Sequence, residues 1–139
     1  MSQNQSLSFS KELYTNTLRL RLMLQGFISY LYLENSVVDE FEHQKNHEAI
    51  VSFVENGEKM PILIESENFV DITPAARNLA RKLESIVPIC CRAIVIKTLG
   101  ERILAKSYIT FQKPIIPTKI FATTALAEEW LLDQNKKTA

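Results

Sequence analysis

Residues 60–83 read MPILIESENFVDITPAARNLARKL, and this stretch decides the fold. Pro61 to Ile64 is a short apolar run entered through a turn at Gly57. A run of that length between turn signals suits a strand buried on both faces. Thr73-Pro74 then opens a helix, because Thr caps well and Pro fits the first helical position. Ala76, Leu79, Ala80, Leu83 and Val87 follow at helical spacing. The stretch is one half of a strand–helix–strand unit.

The same alternation extends on both sides. Upstream, a helix is expected from about Asp39 to Val54, with Asp39, Glu40 and Glu42 at its positive end and Asn56-Gly57 at the other. Its first half is so polar that only Phe41, Ala49, Ile50, Phe53 and Val54 need burial. Before it, residues 17–24 alternate, with Leu18, Leu20, Leu22 and Leu24 opposed to Thr17, Arg19 and Arg21. Gln25-Gly26 turns the chain into residues 27–33, so the pair reads as a hairpin. The wet arginine face implies an outer place in the sheet. Downstream, Pro88 leads into Ile89 to Ile96, the most strand-like run in the chain. Thr98 to Glu101 has the pattern of a capping box. Leu99, Ile103, Leu104, Tyr108 and Phe111 form the apolar face of the third helix, which Lys113-Pro114 ends. Residues 117–121 form a last strand, and Thr123 or Thr124 caps a helix carrying Leu126, Ala127, Trp130 and Leu131.

The order is β-β-α-β-α-β-α-β-α. This is an α/β fold with a five-stranded mixed sheet and four helices, mainly parallel after an opening hairpin. A length of 139 residues fits one domain, spanning 1–139, with 1–12 and 133–139 as tails. The hydrophobic share of 46% and charged share of 23% are those of a globular chain and argue against disorder. Sixteen basic residues balance sixteen acidic ones, so no net charge drives binding to nucleic acid or to anionic membranes. No apolar run is long enough to span a membrane, and the polar start MSQNQSLSFSKEL lacks the core of a signal peptide. The expected location is the cytoplasm. The adjacent Cys90 and Cys91 read as small apolar strand residues without metal or redox partners.

MPILIESENFVDITPAARNLA, AIVIKTLGERILAKSYITF and KPIIPTKIFATTALAEEWL together resemble a family of small uncharacterised bacterial proteins, common in Bacteroidetes, with a STAS-like or SpoIIAA-like fold. The resemblance spans residues 60–132, and its strongest pieces are ITPAAR, KPIIPTKIF and the terminal A-x-x-W-L. It implies the fold of the SpoIIAA-type anti-sigma-factor antagonists and carries no chemistry of its own. In those antagonists an Asp-Ser pair precedes a helix, and the Ser is phosphorylated. Here Asp71 matches the Asp, Ile72 stands where the Ser would be, and Thr73 is one position later. The switch motif is therefore broken. A phosphate on Thr73 would meet the helix N-terminus favourably, but Thr73 reads first as a cap.

Three threonines, Thr73, Thr98 and Thr123, open helices at the carboxyl edge of the sheet, where open α/β sheets bind ligands. Glu65, Asp71, Thr73, Lys97 and Thr98 are the candidate crevice. His43 and His47 share a helical face, but Gln44 replaces the Glu of a metalloprotease and no third ligand is spaced for zinc, so the pair reads as a solvated face. Ser66 lies between Glu65 and Glu67, which oppose an oxyanion. With three glycines and no GxGxxG or GxxxxGK[ST], nucleotide enzymes of the usual kinds are disfavoured, and no cofactor is expected. Arg77, Arg81, Lys82, Arg102 and Lys106 read as helix exteriors, and Tyr108, Phe111 and Trp130 as packing. The leading expectation is a non-enzymatic regulatory or protein-interaction domain, self-associating as a dimer and lacking an intact phosphoserine motif. The alternative is a binder of a small apolar ligand between sheet and helices.

Overall fold

The computed structural model describes residues 8–54 and 57–138. The expected tail up to residue 7, Asn56 of the expected helix end, and Ala139 lie outside the described residues. The elements are β1 (Phe9–Tyr14), β2 (Leu18–Met23), β3 (Ile28–Tyr32), β4 (Val37–Val38), α1 (Glu40–Phe53), β5 (Met60–Ser66), β6 (Asp71–Ile72), α2 (Pro74–Leu83), β7 (Ile89–Val95), α3 (Leu99–Gln112), β8 (Thr118–Phe121) and α4 (Thr124–Thr138).

The main sheet has six strands in the order β1-β2-β3-β5-β7-β8, not the five expected, and β4 and β6 add a small two-stranded sheet. The opening strands pair antiparallel and the rest parallel. The decisive pairing is β5 on β7, with Leu63 opposite Ala93 and Ile64 opposite Ile94. A register shift between Met60 and Pro61 accommodates a residue without an N–H.

The extra strand is β1, which takes in the part of the expected tail from Phe9 onward. Its polar FSKELY sequence buries little, so no apolar alternation announces it. It is held by its ladder to β2 and by Arg21, whose Nε lies 2.6 Å from the Glu12 carboxylate. The arginine-bearing strand β2 is consequently not at the edge. Arg19 and Arg21 point to the α4 side of the sheet, beside rather than beneath that helix, whose main contacts are with β5, β7 and β8. An uncovered face and an edge position leave the same alternation in a sequence. Thr17, expected on the wet side, is buried beneath Asn46 of α1, whose Nδ2 donates to the Thr17 hydroxyl at 3.0 Å. Thr15 donates to Asn46 Oδ1 at 2.7 Å, so this fully buried amide is satisfied at both ends.

Two cores result. On one face Leu18, Leu20, Ile28, Tyr30 and Ile62 pack against Ala49, Ile50 and Phe53 of α1. On the other, Met23, Phe27, Leu63, Cys91, Ala93 and Val95 pack against Ala127 and Leu131 of α4, with Trp130 5.8 Å from Phe121. Phe41, expected in the core, is exposed, and the more polar Asn46 and His47 are buried in its place. Cys91 is inert: burial, then the neighbouring Cys90, pushes its thiol up to about 12. The carboxyl end, expected as a tail from residue 133, continues α4 to Thr138.

The third helix departs furthest from expectation. It is capped as predicted, with the Thr98 hydroxyl accepting from Glu101 N–H and Lys113 closing it in a left-handed conformation. Yet none of its residues is buried. Leu104 is 72% exposed and Phe111 81%, and Leu99, Ile103 and Tyr108 are exposed with them.

Candidate functional site

The exposure of α3 has a geometric cause: the helix stands off the sheet. Between α2, α3 and the strands β5, β7 and β8 lies a cleft of about 600 Å³. Its floor is Ile64, Ile94 and Ile120, the residues of those strands that alternate away from α4, with Ile96 just past β7. Leu104, Ala105, Tyr108 and Ile109 form one wall, and Arg77, Ala80 and Arg81 the other. The arginines of α2, read from the sequence as a helix exterior, thus border the cleft. Arg81 crosses to α3, donating to Gln112 Oε1 at 3.1 Å.

A polar bridge explains why the cleft does not close. Arg92 enters it from the centre of β7, with Nε donating to the Thr118 hydroxyl at 3.0 Å and Nη2 to Glu84 Oε2 at 3.2 Å. The same Glu84 oxygen accepts from the Ile116 N–H at 3.1 Å. Thr118 in turn donates to the Ile116 carbonyl at 2.8 Å. An arginine packed under a helix without these partners would be left desolvated. The bridge satisfies it and occupies the place where apolar side chains from α3 would otherwise pack.

Arg92, Glu84, Ala80 and Ile64 also border a smaller chamber of about 140 Å³, roofed by α1 and α2. Tyr30, Tyr32, His43 and His47 face it. The tyrosine rings meet edge to face at 5.0 Å, and the Tyr30 hydroxyl donates to that of Tyr32 at 3.3 Å. Burial raises both phenols, so both stay protonated. Burial lowers both imidazoles; His47 further lowers His43, while Glu48 acts the other way on His47. The histidine pair is therefore part of a shielded chamber, not the solvated face its spacing implied.

The crevice expected at the carboxyl edge is dispersed. Glu65 points to the α4 side, where it accepts from the Thr124 hydroxyl at 2.6 Å and raises the carboxyl of Glu128, an effect secondary to that group's own burial. Asp71 and Thr73 lie on a strap bound to the Ser36–Val38 segment, with Asp71 N–H donating to Ser36 O and Thr73 N–H to Val38 O. Thr73 is the cap of α2, its hydroxyl accepting from Ala76 N–H at 3.1 Å. Lys97 and the cap Thr98 lead into α3, their segment pinned by Arg102, which donates to the carbonyls of Ile96 and Lys97. No hydrogen bond or ion pair joins Glu65, Asp71, Thr73 and the Lys97-Thr98 pair to one another among the described residues.

The residues that do converge are Tyr32, Glu84 and Arg92, none of which sequence reading singled out. One signal was present. Arg92 is the sole charge in the run Pro88 to Ile96, and a charge in the middle of a buried strand requires built partners. Chemically, the arrangement is suited to holding a molecule. Its apolar walls and few fixed polar groups are those of a binding cleft. No His is hydrogen-bonded through its side chain to a Ser, Thr or Cys among the described residues, and no group of three or more His, Cys, Asp or Glu there is placed to hold a metal.

Residues 20–135 match the family described as "Domain of unknown function (DUF7793)", and the chain belongs to that family. No curated protein matches it. Among solved structures it is similar to an uncharacterized protein of the DUF3478 family with a SpoIIAA-like fold, from Shewanella loihica PV-4. That likeness covers 89% of this chain and 94% of the other, with a TM-score of 0.55 and 11% identity. It concerns the fold, and the SpoIIAA-like architecture expected from residues 60–132 is the architecture found. No helix among the described residues is long and apolar enough to cross a membrane.

Proposed function

We propose that this member of a family without an assigned function is a non-enzymatic binding domain that takes a small apolar ligand into the cleft between α2, α3 and the sheet. One observation carries the reading. A 14-residue amphipathic helix buries none of its residues and leaves about 600 Å³ over an isoleucine floor. That volume lies within the range of small-molecule sites, about 300–1,000 Å³. Burying the walls against a ligand is favourable at about 25 cal/mol per Å² of apolar surface. The test is a titration of the full chain with dodecanol, followed by methyl NMR. Saturable shifts at Ile94, Ile96, Leu104 and Ile109, lost in an Ala105→Trp variant that fills the cleft, are expected. Shifts that scatter over the surface and never saturate would overturn the reading.

A second reading is the interaction domain, resembling the anti-sigma-factor antagonists, working in the cytoplasm and self-associating as a dimer. The outward residues Leu99, Ile103, Phe111 and Ile115 favour it, because contiguous exposed apolar surface marks contact sites. Phe69 adds to it: it is exposed in a left-handed turn four residues before Thr73, where a phosphate would add charge. Sedimentation at rising concentration tests the dimer. A Phe111→Ser, Ile103→Ser variant should stay monomeric where the unaltered chain associates.

A further inference from the structure

The cleft and the inner chamber share one wall, and the charged head at that wall defines what kind of ligand fits. Arg92 uses Nε on Thr118 and Nη2 on Glu84. Its Nη1 makes no hydrogen bond among the described residues, and a quarter of the side chain remains exposed. Glu84, its counter-charge, is divided between Arg92 and the Ile116 amide. Arg77 and Arg81 border the same cleft, against Glu84 and Glu101, so guanidinium groups outnumber carboxylates by three to two. Glu101 is also held at the far end of α3 by the Thr98 hydroxyl.

The chamber adds donors. Tyr32 accepts from Tyr30 and has no other hydrogen bond among the described residues, which leaves its own O–H to donate into the space. Arg92 and Tyr32 line the same chamber. His43 and His47, neutral near pH 7, each carry one further N–H. A site with an unused guanidinium nitrogen and a phenolic donor, backed by an apolar trough, complements an anion that carries a hydrophobic body.

We infer that the ligand is a single-headed anionic amphiphile, with its carboxylate or phosphate head at Arg92 and Tyr32 and its apolar body along Ile64, Ile94 and Leu104. This rests on the proposed binding cleft. Neither a free inorganic anion nor a neutral hydrocarbon uses both halves of the site. A charge-assisted hydrogen bond to the head should improve binding by about tenfold or more.

Calorimetric titration of the full chain with dodecanoate, dodecyl phosphate, dodecanol and acetate tests this. The expected order places dodecanoate or dodecyl phosphate at least about tenfold tighter than dodecanol, with acetate weakest. Whichever anionic head binds more tightly identifies the head group. In Arg92→Met/Glu84→Gln, where Gln keeps an acceptor for Ile116 N–H, the preference over dodecanol should fall below about threefold. Arg92→Lys should keep part of it. In the unaltered chain, the Arg92 and Tyr32 NMR signals should move with dodecanoate and not with dodecanol, a readout independent of how well the double variant folds. Equal binding of dodecanoate and dodecanol would overturn this inference and leave the cleft reading standing. Failure of all the long-chain probes would overturn both. A preference that survives in a folded double variant would remove Arg92 from the head site.

Discussion

Helices α3 and α4 have nearly the same length, 14 and 15 residues, and lie over opposite faces of the same strands. The second seals its face: Ala127 and Leu131 are 0% and 1% exposed over Leu63, Cys91, Ala93 and Val95. The first seals nothing. The difference lies in what the strands present. Toward α4, β7 offers the small Cys91 and Ala93, which allow the helix to approach closely. Toward α3, the same strand offers Arg92, with Glu84 and Thr118 attached to it. A helix can lie closely on alanine and cysteine, but not on an arginine whose partners occupy the same space. A single strand thus carries a packed core on one side and a cleft on the other.

The sharpest way to break this comparison is to truncate matched leucines. Leu131→Ala should cost about 2–5 kcal/mol in urea unfolding, through lost burial and a cavity. Leu104→Ala should stay within about 0.5 kcal/mol, because that side chain already meets solvent. Equal losses would mean that α3 is a core helix in solution. Next in size is the bridge. Glu84→Ala should cost about 1–3 kcal/mol, since the Ile116 amide and Arg92 lose their acceptor. Glu101→Ala, on the exposed first turn of α3, should cost less than half as much by the same measurement.

Smaller effects follow at the helix ends. Thr73→Ala should lower stability by about 1 kcal/mol, while Thr73→Ser and Thr73→Asp should fold as well as the parent, because both cap. Equal partner binding by all three variants, after correction for folded fraction, would identify Thr73 as a cap alone. Phosphate mapped to Thr73 in protein from its native host would instead make it a modification site. The smallest effect expected is in the pH dependence of stability. His43 and His47 have lowered values in the folded chain, so as pH falls below the ordinary histidine value, about 6.5, the unfolded chain takes up protons first. Stability should therefore be full above that value and decline below it, levelling once the folded histidines titrate as well. His43→Gln should flatten the decline in a thermal-midpoint series. A decline of unchanged slope would show that His43 is solvated after all.

The parts of the fold legible in the sequence are those where one pattern has one cause. Pro61 to Ile64 is apolar without alternation because helices cover both faces, and Thr73-Pro74 starts a helix because capping is a local matter. The misread parts are those where one pattern has two causes. Leu99, Ile103, Leu104, Tyr108 and Phe111 write an amphipathic helix whether it seals a core or borders a cleft. His43 and His47 look solvated because their neighbours Gln44 and Glu48 are polar, yet the chamber wall lies against the other side of α1. The crevice of Glu65, Asp71, Thr73, Lys97 and Thr98 follows from helix starts at the carboxyl edge of the sheet and takes no account of which face each side chain meets. Side-chain alternation sends Glu65 to the far face, and the β4–β6 ladder holds Asp71 on a separate strap.

By itself, the sequence determined the four helices, five of the six strands of the main sheet in their order, the parallel centre of that sheet and the caps at Thr73 and Thr98, with Thr123 or Thr124 before α4, since hydrophobic period and capping act over a few residues. Only the tertiary structure decided that a polar FSKELY segment is the edge strand, that α4 closes its face while α3 stands away, and that Arg92, Glu84 and Tyr32 meet. Those outcomes depend on which side chains face each other across the sheet and on whether a buried charge finds partners. Both are relations between residues distant in the chain, and a local pattern does not contain them.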